Sequence, residues 1–299
     1  MKKQTLSAAA RSDRMFNIIL YTMMGLFAMI ILYPLYFVVI ASISDPMLIG
    51  SGEVFFLPKG LNIDGYKAIL QDEKIYSGYY NSFLYAIVGT LIGVSATIAA
   101  AYPLSRPNLR GRKPIILYFT LTMFLNGGMI PTYIVIDELG LMNSIWAIVL
   151  PTAVTAYNLI IARTFLETTI PNELYEASSI DGCGHVRFFF RILLPLSTPI
   201  IAVLVLFSIV RMWNQYMNPM LYLQDQAKYP LQVVLRNILI QNTADIGSID
   251  DALQLVEQMK LAEKIKYALI IVASVPVIAI YPFVQKHLVK GMMIGSVKG

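Results

Sequence analysis

The chain has 299 residues, of which 57% are hydrophobic and only 14% are charged, and its formal net charge is +5. Soluble globular domains carry charges on about a quarter of their residues, so this composition excludes an ordinary soluble fold. The single cysteine, Cys183, excludes an intrachain disulfide and a multi-cysteine metal site. The two histidines, His185 and His287, are far apart in sequence, and we predict no metal site.

Six apolar runs divide the chain into predicted membrane spans. A helix needs roughly 20 predominantly apolar residues to cross the hydrocarbon core of a bilayer. The six runs are Phe16–Ser42, Asn81–Leu104, Pro114–Ile136, Asn143–Leu166, Ile192–Trp213 and Tyr267–Val284. The first run is far longer than the core of a cleaved signal peptide, which has about 7 to 15 residues. We therefore predict an all-α integral membrane protein with six transmembrane helices and no large soluble domain.

The basic residues indicate how these spans are oriented. Lys and Arg accumulate in cytoplasmic loops, and more than half of the 23 basic residues fall on the side of the membrane that carries the N-terminus. The loop 105–113 is basic and contains no acid, whereas the opposite loop 43–80 is rich in acids. We therefore predict that both termini are cytoplasmic. The positive charge is explained by this orientation and gives no support for a nucleic-acid partner.

The predicted organisation is one membrane domain between two short cytoplasmic segments. Its boundaries are 1–15 for the N-terminal segment, 16–284 for the membrane domain, 285–299 for the C-terminal tail, 43–80 and 214–265 for the outer loops, and 171–195 for a cytoplasmic loop. Within the second outer loop, Val256–Lys266 has apolar residues at a helical spacing. This favours a short amphipathic helix at the outer surface, with a contact for a soluble partner as the alternative.

The predicted spans contain almost no ionisable residues in their interiors. Such residues usually mark proton relays, ion paths or catalytic sites, so a proton-coupled transporter and an intramembrane aspartyl protease are both disfavoured. Arg163 and Arg211 lie near span ends, where their charges can reach the interface. The phosphate-binding motif GxxxxGK[ST] is absent. If the chain drives transport with ATP, another subunit must bind the nucleotide.

A polar and charged island at residues 171–199 separates two of the apolar runs. Pro171 suits the first position of a helix, where a missing N–H costs nothing. Glu173 and Glu176 would follow within the first two turns, near the positive end of the helix dipole. These features predict a short helix on the cytoplasmic side.

The rest of the island predicts a turn and a second helix. The first helix should end at about Ile180, because Gly182 can adopt a positive φ. Residues 185–194 mix bases with phenylalanines, as in an interfacial helix. Pro195 and Pro199 should then disturb the start of the next span. Composition alone leaves an ordinary cytoplasmic loop with an amphipathic helix as the alternative.

The order of residue types in this island carries a family resemblance. Glu-Ala-Ser at 176–178 is followed after two residues by Asp-Gly at 181–182 and, about nine residues later, by Ile-Leu-Leu-Pro. This order resembles the cytoplasmic coupling loop of importer permeases that work with ATP-binding cassette subunits. The resemblance implies the fold of these permeases, with a helix-turn-helix that docks into a cleft on the ATPase. The coupling residues that it implies are Glu176, Ala177, Ser178, Asp181, Gly182 and Pro195.

Two residues depart slightly from that family pattern. Ser178 stands where a second alanine is usual, and Cys183 stands where alanine is common. Both side chains are small, so the expected docking is unaffected.

Other stretches narrow the resemblance to one branch of the family. The tail Tyr281–Gly299 is similar to that of carbohydrate-uptake permeases, in particular the second, shorter permease of a pair. Trp213–Leu223 and Tyr229–Leu235 resemble the end of the fifth span and the following outer loop of the same group. Phe124–Val135 resembles the branch that handles oligosaccharides such as fragments of plant polysaccharides.

Neutral polar and aromatic residues in spans three to five are suited to a sugar path, because sugars bind to aromatic faces and to uncharged donors and acceptors. The candidates are Asn126, Tyr133, Tyr157, Asn158, Trp213, Asn214 and Tyr216. Tyr and Trp also collect at membrane interfaces, and Asn can bond to a neighbouring helix. Pro131 is expected either to kink the third span near a cavity or to be accommodated by packing. The small residues Gly89, Gly93, Ala96 and Ala100 predict a helix-packing face.

The resemblance implies a non-enzymatic permease subunit of a binding-protein-dependent sugar importer in a bacterial plasma membrane. Its expected partners are a homologous permease, two ATPase subunits that bind ATP and magnesium, an extracellular solute-binding protein and the lipid bilayer. No cofactor is expected in this chain. The alternatives are the same machine with an amino acid, peptide or anion as cargo, a membrane-embedded enzyme, and a stand-alone secondary transporter.

Overall fold

The computed structural model describes residues 2–246, 262–279 and 282, and within them the chain forms helices and no strands. The α-helices are α1 (Lys2–Ser42), α2 (Pro46–Gly50), α3 (Asp64–Gln71), α4 (Glu73–Ser105), α5 (Arg112–Leu121), α6 (Met129–Glu138), α7 (Ile145–Val149), α8 (Ala156–Thr169), α9 (Asn172–Ile180), α10 (His185–Phe188), α11 (Leu194–Leu196), α12 (Thr198–Trp213), α13 (Met217–Tyr222), α14 (Leu231–Ile246) and α15 (262–279). The predicted all-α architecture is confirmed for this part of the chain.

The described residues fall into two compact units. The first takes the chain up to Gln71 and the stretch between Leu239 and Val272, and the second takes the rest. In the first unit, Ile40 and Ile49 form part of a small apolar cluster that also includes the partly buried Tyr267.

The core of the second unit lies between α4, α8 and α12. Buried leucines and isoleucines from these helices pack together with Phe188 and Leu193 from the connection before α12. The close approach depends on small residues, as predicted. A Cβ atom at Gly89 would lie 2.7 Å from the side chain of Met212, and one at Gly93 would lie 2.4 Å from the carbonyl oxygen of Ala153. Gly93 thus permits a backbone contact that a larger residue would block, whereas a side chain at Gly89 would force the flexible end of Met212 to shift.

The predicted third span, Pro114–Ile136, is not one continuous helix. Residues 122–128 separate α5 from α6. Gly128 has a φ of 90°, and its N–H donates a hydrogen bond to Oδ1 of Asn126 at 2.9 Å. Pro131 lies in the first turn of α6, where its missing N–H has no intrahelical partner to lose. Gly128 therefore sets the start of α6, and Pro131 is accommodated in its first turn without a kink.

Two further spans are bent. Ile145–Thr152 meets α8 at 50°, and the helical stretch His185–Leu196 meets α12 at 77°. The second bend falls at Ser197, between Pro195 and Pro199, where the sequence predicted a disturbed start.

The structure supports part of the predicted span count. Asp13–Ser42 and Glu73–Ser105 are each long and apolar enough to cross a bilayer, and the two bent pairs raise the number to four among the described residues. The sixth predicted span, Tyr267–Val284, is described only to residue 279 and at 282. The family-like tail at Tyr281–Gly299 lies outside the described residues apart from 282, and so does most of Val256–Lys266.

Candidate coupling site

The first helix of the predicted loop is α9. Pro171 occupies its N-cap, with extended φ and ψ of −61° and 153°, so the helix begins at Asn172. The prediction that Pro171 is the first helical residue was therefore wrong by one position, because the proline φ also fits an extended cap. Glu173 lies in the first turn, where the helix dipole favours a negative charge.

A glycine turn ends α9. The N–H of Cys183 donates to the carbonyl of Ser178 at 2.9 Å, and the N–H of Gly182 donates to the carbonyl of Ser179 at 3.1 Å. These two bonds form a Schellman motif, which requires a left-handed residue after the helix. Gly182 has a φ of 75°, as the sequence predicted. The chain can therefore reverse within Asp181–Gly184.

The second helical stretch runs from His185 to Leu196. Its middle, Phe189–Leu193, is a π-helical turn. Pro195 has no N–H to donate, and its ring would clash with the carbonyl four residues earlier in a regular α-helix. A widened turn accommodates such a ring. We call α9, the turn and this stretch together, residues 172–196, the coupling hairpin.

Aromatic contacts hold the two arms of the coupling hairpin together. The rings of Tyr175 and His185 stack with centroids 5.0 Å apart, and the Tyr175 hydroxyl lies 3.0 Å from Nε2 of His185. Tyr175 also meets the fully buried Phe188 edge-on at 5.2 Å. Because these rings come from both arms, the hairpin is expected to move as one body.

Arg106, directly after α4, anchors the hairpin to the membrane helices. Its guanidinium lies 5.3 Å from the ring centroid of Tyr102 and 5.6 Å from that of Phe188. Nη1 donates to Oδ1 of Asn172 at 3.2 Å and to the carbonyl of Ile170 at 3.5 Å. Burial lowers the pKa of Arg106, but the guanidinium remains charged at neutral pH. We call Tyr102, Arg106 and Phe188 the anchor.

A second set of charges ties α4, α5 and α8 together beside the anchor. The carbonyl of Leu104, at the end of α4, accepts hydrogen bonds from Nε of Arg112 at 2.9 Å and from Nε of Arg163 at 3.4 Å. Both arginines also pair with the carboxylate of Glu167. The arginines satisfy a carbonyl that the helix end leaves free and complement the helix dipole.

The tip of the coupling hairpin is exposed and has both acidic and apolar character. Glu176, Ala177, Asp181 and Gly182 are exposed, and Ile180 is 88% exposed. Among the described residues, none of the ion pairs involves a carboxylate of the tip. Such a surface can accept polar contacts from another protein around a small apolar centre.

The other two predicted coupling residues lie away from the tip. Ser178 is buried, and its hydroxyl donates to the carbonyl of Tyr175 at 2.7 Å. Pro195 is exposed at the far end of the second arm. Ser178 therefore contributes to the internal structure of α9, and Pro195 to the bend before α12.

The predicted sugar-path residues lie in three separate places. Asn126 is in the break before α6, and the ring of Tyr133 lies 6.1 Å from that of Tyr222. Tyr157 is exposed and Asn158 is buried at the start of α8. Among the described residues, no ring contact or hydrogen bond joins the three places, so their role stays a prediction.

The third place is the end of α12. Trp213 is 2% exposed, its indole N–H donates to the carbonyl of Ala273 at 3.0 Å, and its ring lies 5.2 Å from that of Phe83. Asn214 donates from its side-chain amide to the carbonyl of Val210 at 2.9 Å, and Tyr216 is exposed.

Sequence comparison decides the family. Residues 6–294 match the family described as "Binding-protein-dependent transport system inner membrane component". The chain belongs to this family. It is therefore a membrane-embedded permease component of a transport system, and the predictions of a permease and of a non-enzymatic subunit are confirmed.

Two relatives and one solved structure are similar to this permease over nearly its whole length. The chain is 40% identical to the "Polygalacturonan/rhamnogalacturonan transport system permease protein YtcP" of Bacillus subtilis (strain 168), over 96% of this chain and 99% of that one. It is 37% identical to "Protein LplC" of the same organism, over 97% of each chain. It also resembles a chain of a "bacterial ABC transporter involved in the import of the acidic polysaccharide alginate", with 31% identity, a TM-score of 0.80 and coverage of 92% of this permease and 97% of that chain.

Sequence reasoning missed the anchor of this permease. Arg106 was read only as a cytoplasmic charge, and Tyr102 was not singled out. Their spacing of four residues places them on one helix face and could have indicated a cation–π pair. The partners Ile170 and Asn172 lie 64 and 66 residues away, beyond the reach of any local pattern.

Proposed function

We propose that this permease is one of two membrane subunits of an ATP-driven importer of oligosaccharides, and that its coupling hairpin docks on an ATPase subunit. The observation that carries this proposal is the hairpin itself. It presents Glu176, Ala177 and Asp181 at an exposed tip, while the anchor ties its base to α4.

The proposed topology has six spans with both termini in the cytoplasm of a bacterium. The two long helices and the two bent pairs support four membrane crossings. We assign the remaining two crossings to the broken α5–α6 pair and to α15. Arg106, in the basic loop 105–113, contacts Asn172 at the base of the hairpin. This contact supports the placement of both loops on one side of the membrane.

The proposed cargo, an oligosaccharide, is inferred from the names of similar transport proteins. One carries the name of a polygalacturonan and rhamnogalacturonan permease, and the solved transporter imports alginate. Both names point to sugar polymers or fragments of them. An importer of amino acids, peptides or a simple anion is the rival, and ligand binding by the cognate solute-binding protein would separate them.

The proposed partners are a homologous permease, two ATPase subunits with their ATP and magnesium, and a solute-binding protein. Closure of the ATPase dimer on ATP would move the docked hairpin. The anchor would pass this displacement to α4, and through the packed core to α8 and α12. The permease pair would open outward to receive the sugar and reset after hydrolysis. This chain contributes half of the path and performs no bond chemistry.

The test compares wild type with Glu176→Lys in the complete importer reconstituted in proteoliposomes. The measurement is the stimulation of ATP hydrolysis by sugar-loaded binding protein. We expect the charge reversal to abolish most of the stimulation while assembly is retained, because Glu176 lies on the docking surface. Glu138→Lys is the matched control, since Glu138 is also exposed but lies at the end of α6, on the proposed outer side.

If Glu176→Lys leaves the stimulation of ATP hydrolysis unchanged, Glu176 does not belong to the docking surface. Failure of any ATPase to co-purify with the wild-type permease would contradict the importer itself.

A further inference from the structure

Arg211 carries its positive charge in the last turn of α12. Within the part of the chain that the structure describes, its Nε and Nη2 atoms are buried and find no hydrogen-bond partner. None of the ion pairs between described residues includes it. Arg106 also has Nε and Nη2 buried without a hydrogen bond, but its Nη1 bonds to Asn172 and its guanidinium lies over two rings. Arg112 and Arg163 share the carboxylate of Glu167. Buried polar groups are nearly always hydrogen-bonded, and a charged donor left unpaired is especially costly.

Gln215 adds an unpartnered acceptor one turn later. Its Oε1 atom is also buried and has no hydrogen-bond partner among the described residues. Gln215 lies just beyond α12, directly after the C-cap residue Asn214. The exposed Asn214 and Tyr216 flank Gln215. The end of α12 therefore offers a guanidinium, two amide groups and a phenol within six residues of sequence.

The helix dipole alone does not satisfy the hydrogen-bonding capacity of these nitrogen atoms. The negative end of the helix dipole favours a base in the last turn. However, the nearby carbonyl of Val210 accepts hydrogen bonds from both the backbone N–H and the side chain of Asn214. The dipole therefore accounts for the sign of the charge, but it gives Nε and Nη2 no acceptor.

The position of Arg211 along the fifth span favours an anionic ligand that arrives through the translocation path. Fourteen residues separate it from Ser197, or about 21 Å at 1.5 Å per residue. In the proposed topology this places the guanidinium at the outer end of the span, where the hydrocarbon core of roughly 30 Å meets the interface. A charge at that depth interacts more strongly with an opposite charge than it would in water. Arginine can bind a carboxylate through two parallel hydrogen bonds.

We propose that Arg211, assisted by Gln215, recognises a carboxylate of an acidic oligosaccharide as it passes through the permease. The substrate class is therefore a uronide, and Gln215 would accept a bond from a sugar hydroxyl. This proposal rests on the proposed import of oligosaccharides and deepens it.

The test measures uptake of two probes of the same size by proteoliposomes containing the complete importer. The probes are trigalacturonate and its fully methyl-esterified, uncharged form. We expect Arg211→Gln to lower the ratio of acidic to neutral uptake at least about tenfold, because a hydrogen bond between charged groups is lost. Arg211→Lys should fall between the two, since it keeps the charge but not the paired donors.

Each variant is compared with wild type in the presence of the same binding protein, so the selectivity of that protein cancels. Arg236→Gln is the matched control, because Arg236 is exposed and its Nη1 donates a hydrogen bond to the sulfur of Met220. Its uptake ratio should equal that of wild type.

The outcomes separate this inference from the proposed function. An equal loss of both probes in Arg211→Gln would show a structural role and overturn the inference alone. Wild-type uptake of the neutral probe without the acidic one would also overturn it, while the oligosaccharide importer stands. Absence of uptake of either probe, with ligand-stimulated ATPase absent as well, would contradict the proposed function itself.

Discussion

Gly182 shows how one residue determines the geometry of the coupling hairpin. Its φ of 75° lies in the left-handed region, and a Cβ at this position would meet nothing within 4 Å. Any penalty for a side chain is therefore conformational and not steric. Gly184, two residues later, also has open space around it but an ordinary φ of −72°. The two glycines form a matched pair.

We expect Gly182→Ala to destabilise the turn by about 1 to 2 kcal/mol, the cost of the left-handed conformation for an L-residue. Gly184→Ala should be neutral or slightly stabilising, because alanine restricts the unfolded chain. Thermal unfolding of the purified importer and ATPase stimulation by loaded binding protein would measure both effects. Equal behaviour of the two variants would show that the Schellman turn is not required.

At the residue scale, the sequence predicted contacts between residues that are close along the chain, but not contacts between residues that are far apart along it. The turn at Gly182 depends on residues close in sequence, so the pattern predicted it correctly. The packing of Trp213 depends on Phe83 and Ala273, which are far away along the chain. No local pattern reveals that its indole N–H already has an acceptor.

At the scale of helices, the anchor connects the coupling hairpin to α4. Arg106 contacts Tyr102 on the α4 side and Phe188 on the hairpin side, and it also bonds to Asn172. The core then links α4 to α8 and α12. This arrangement provides a continuous set of contacts from the docking surface to the membrane helices.

We expect Arg106→Gln to weaken the anchor by about 1 to 2 kcal/mol through loss of its cation–π contacts. Assembly with the ATPase should persist, because the tip of the hairpin is unchanged, but stimulation by loaded binding protein should fall. Arg110→Gln removes an exposed base from the same loop and should leave stimulation unchanged. A normal response in Arg106→Gln would mean that another contact transmits the movement.

The sequence predicted which segments are helical better than it predicted where those helices break. Apolar runs predicted a helical third span, but hydropathy does not detect the break at residues 122–128, where Asn126 and Gly128 form a local turn. The bend at Ser197 was anticipated because Pro195 and Pro199 are visible in the sequence. Its angle of 77° depends on packing and could not be read from them.

At the scale of the whole molecule, charge distribution supports an orientation that can be measured. We expect a cysteine placed at Lys59 to react with a membrane-impermeant maleimide in intact cells, after removal of the outer membrane where one exists. A cysteine at Arg110 should react only after lysis, because its loop is predicted to be cytoplasmic. Lys59 and Arg110 are both exposed in the structure, so access is not limited by packing. Reversed labelling would overturn the predicted topology.

The most direct test of the coupling hairpin is a cross-link to the ATPase. Cys183 is the only cysteine, so Cys183→Ser provides the background for single introduced cysteines. Ile180→Cys lies at the tip, where the native side chain is 88% exposed, and Leu61→Cys is a control at a 78% exposed position in the proposed outer loop. With a short thiol-to-amine cross-linker, the account predicts a permease–ATPase adduct from position 180 and none from position 61. An intact, active importer that gives no adduct at position 180, or equal adducts at both, would contradict the assignment of this hairpin as the docking element.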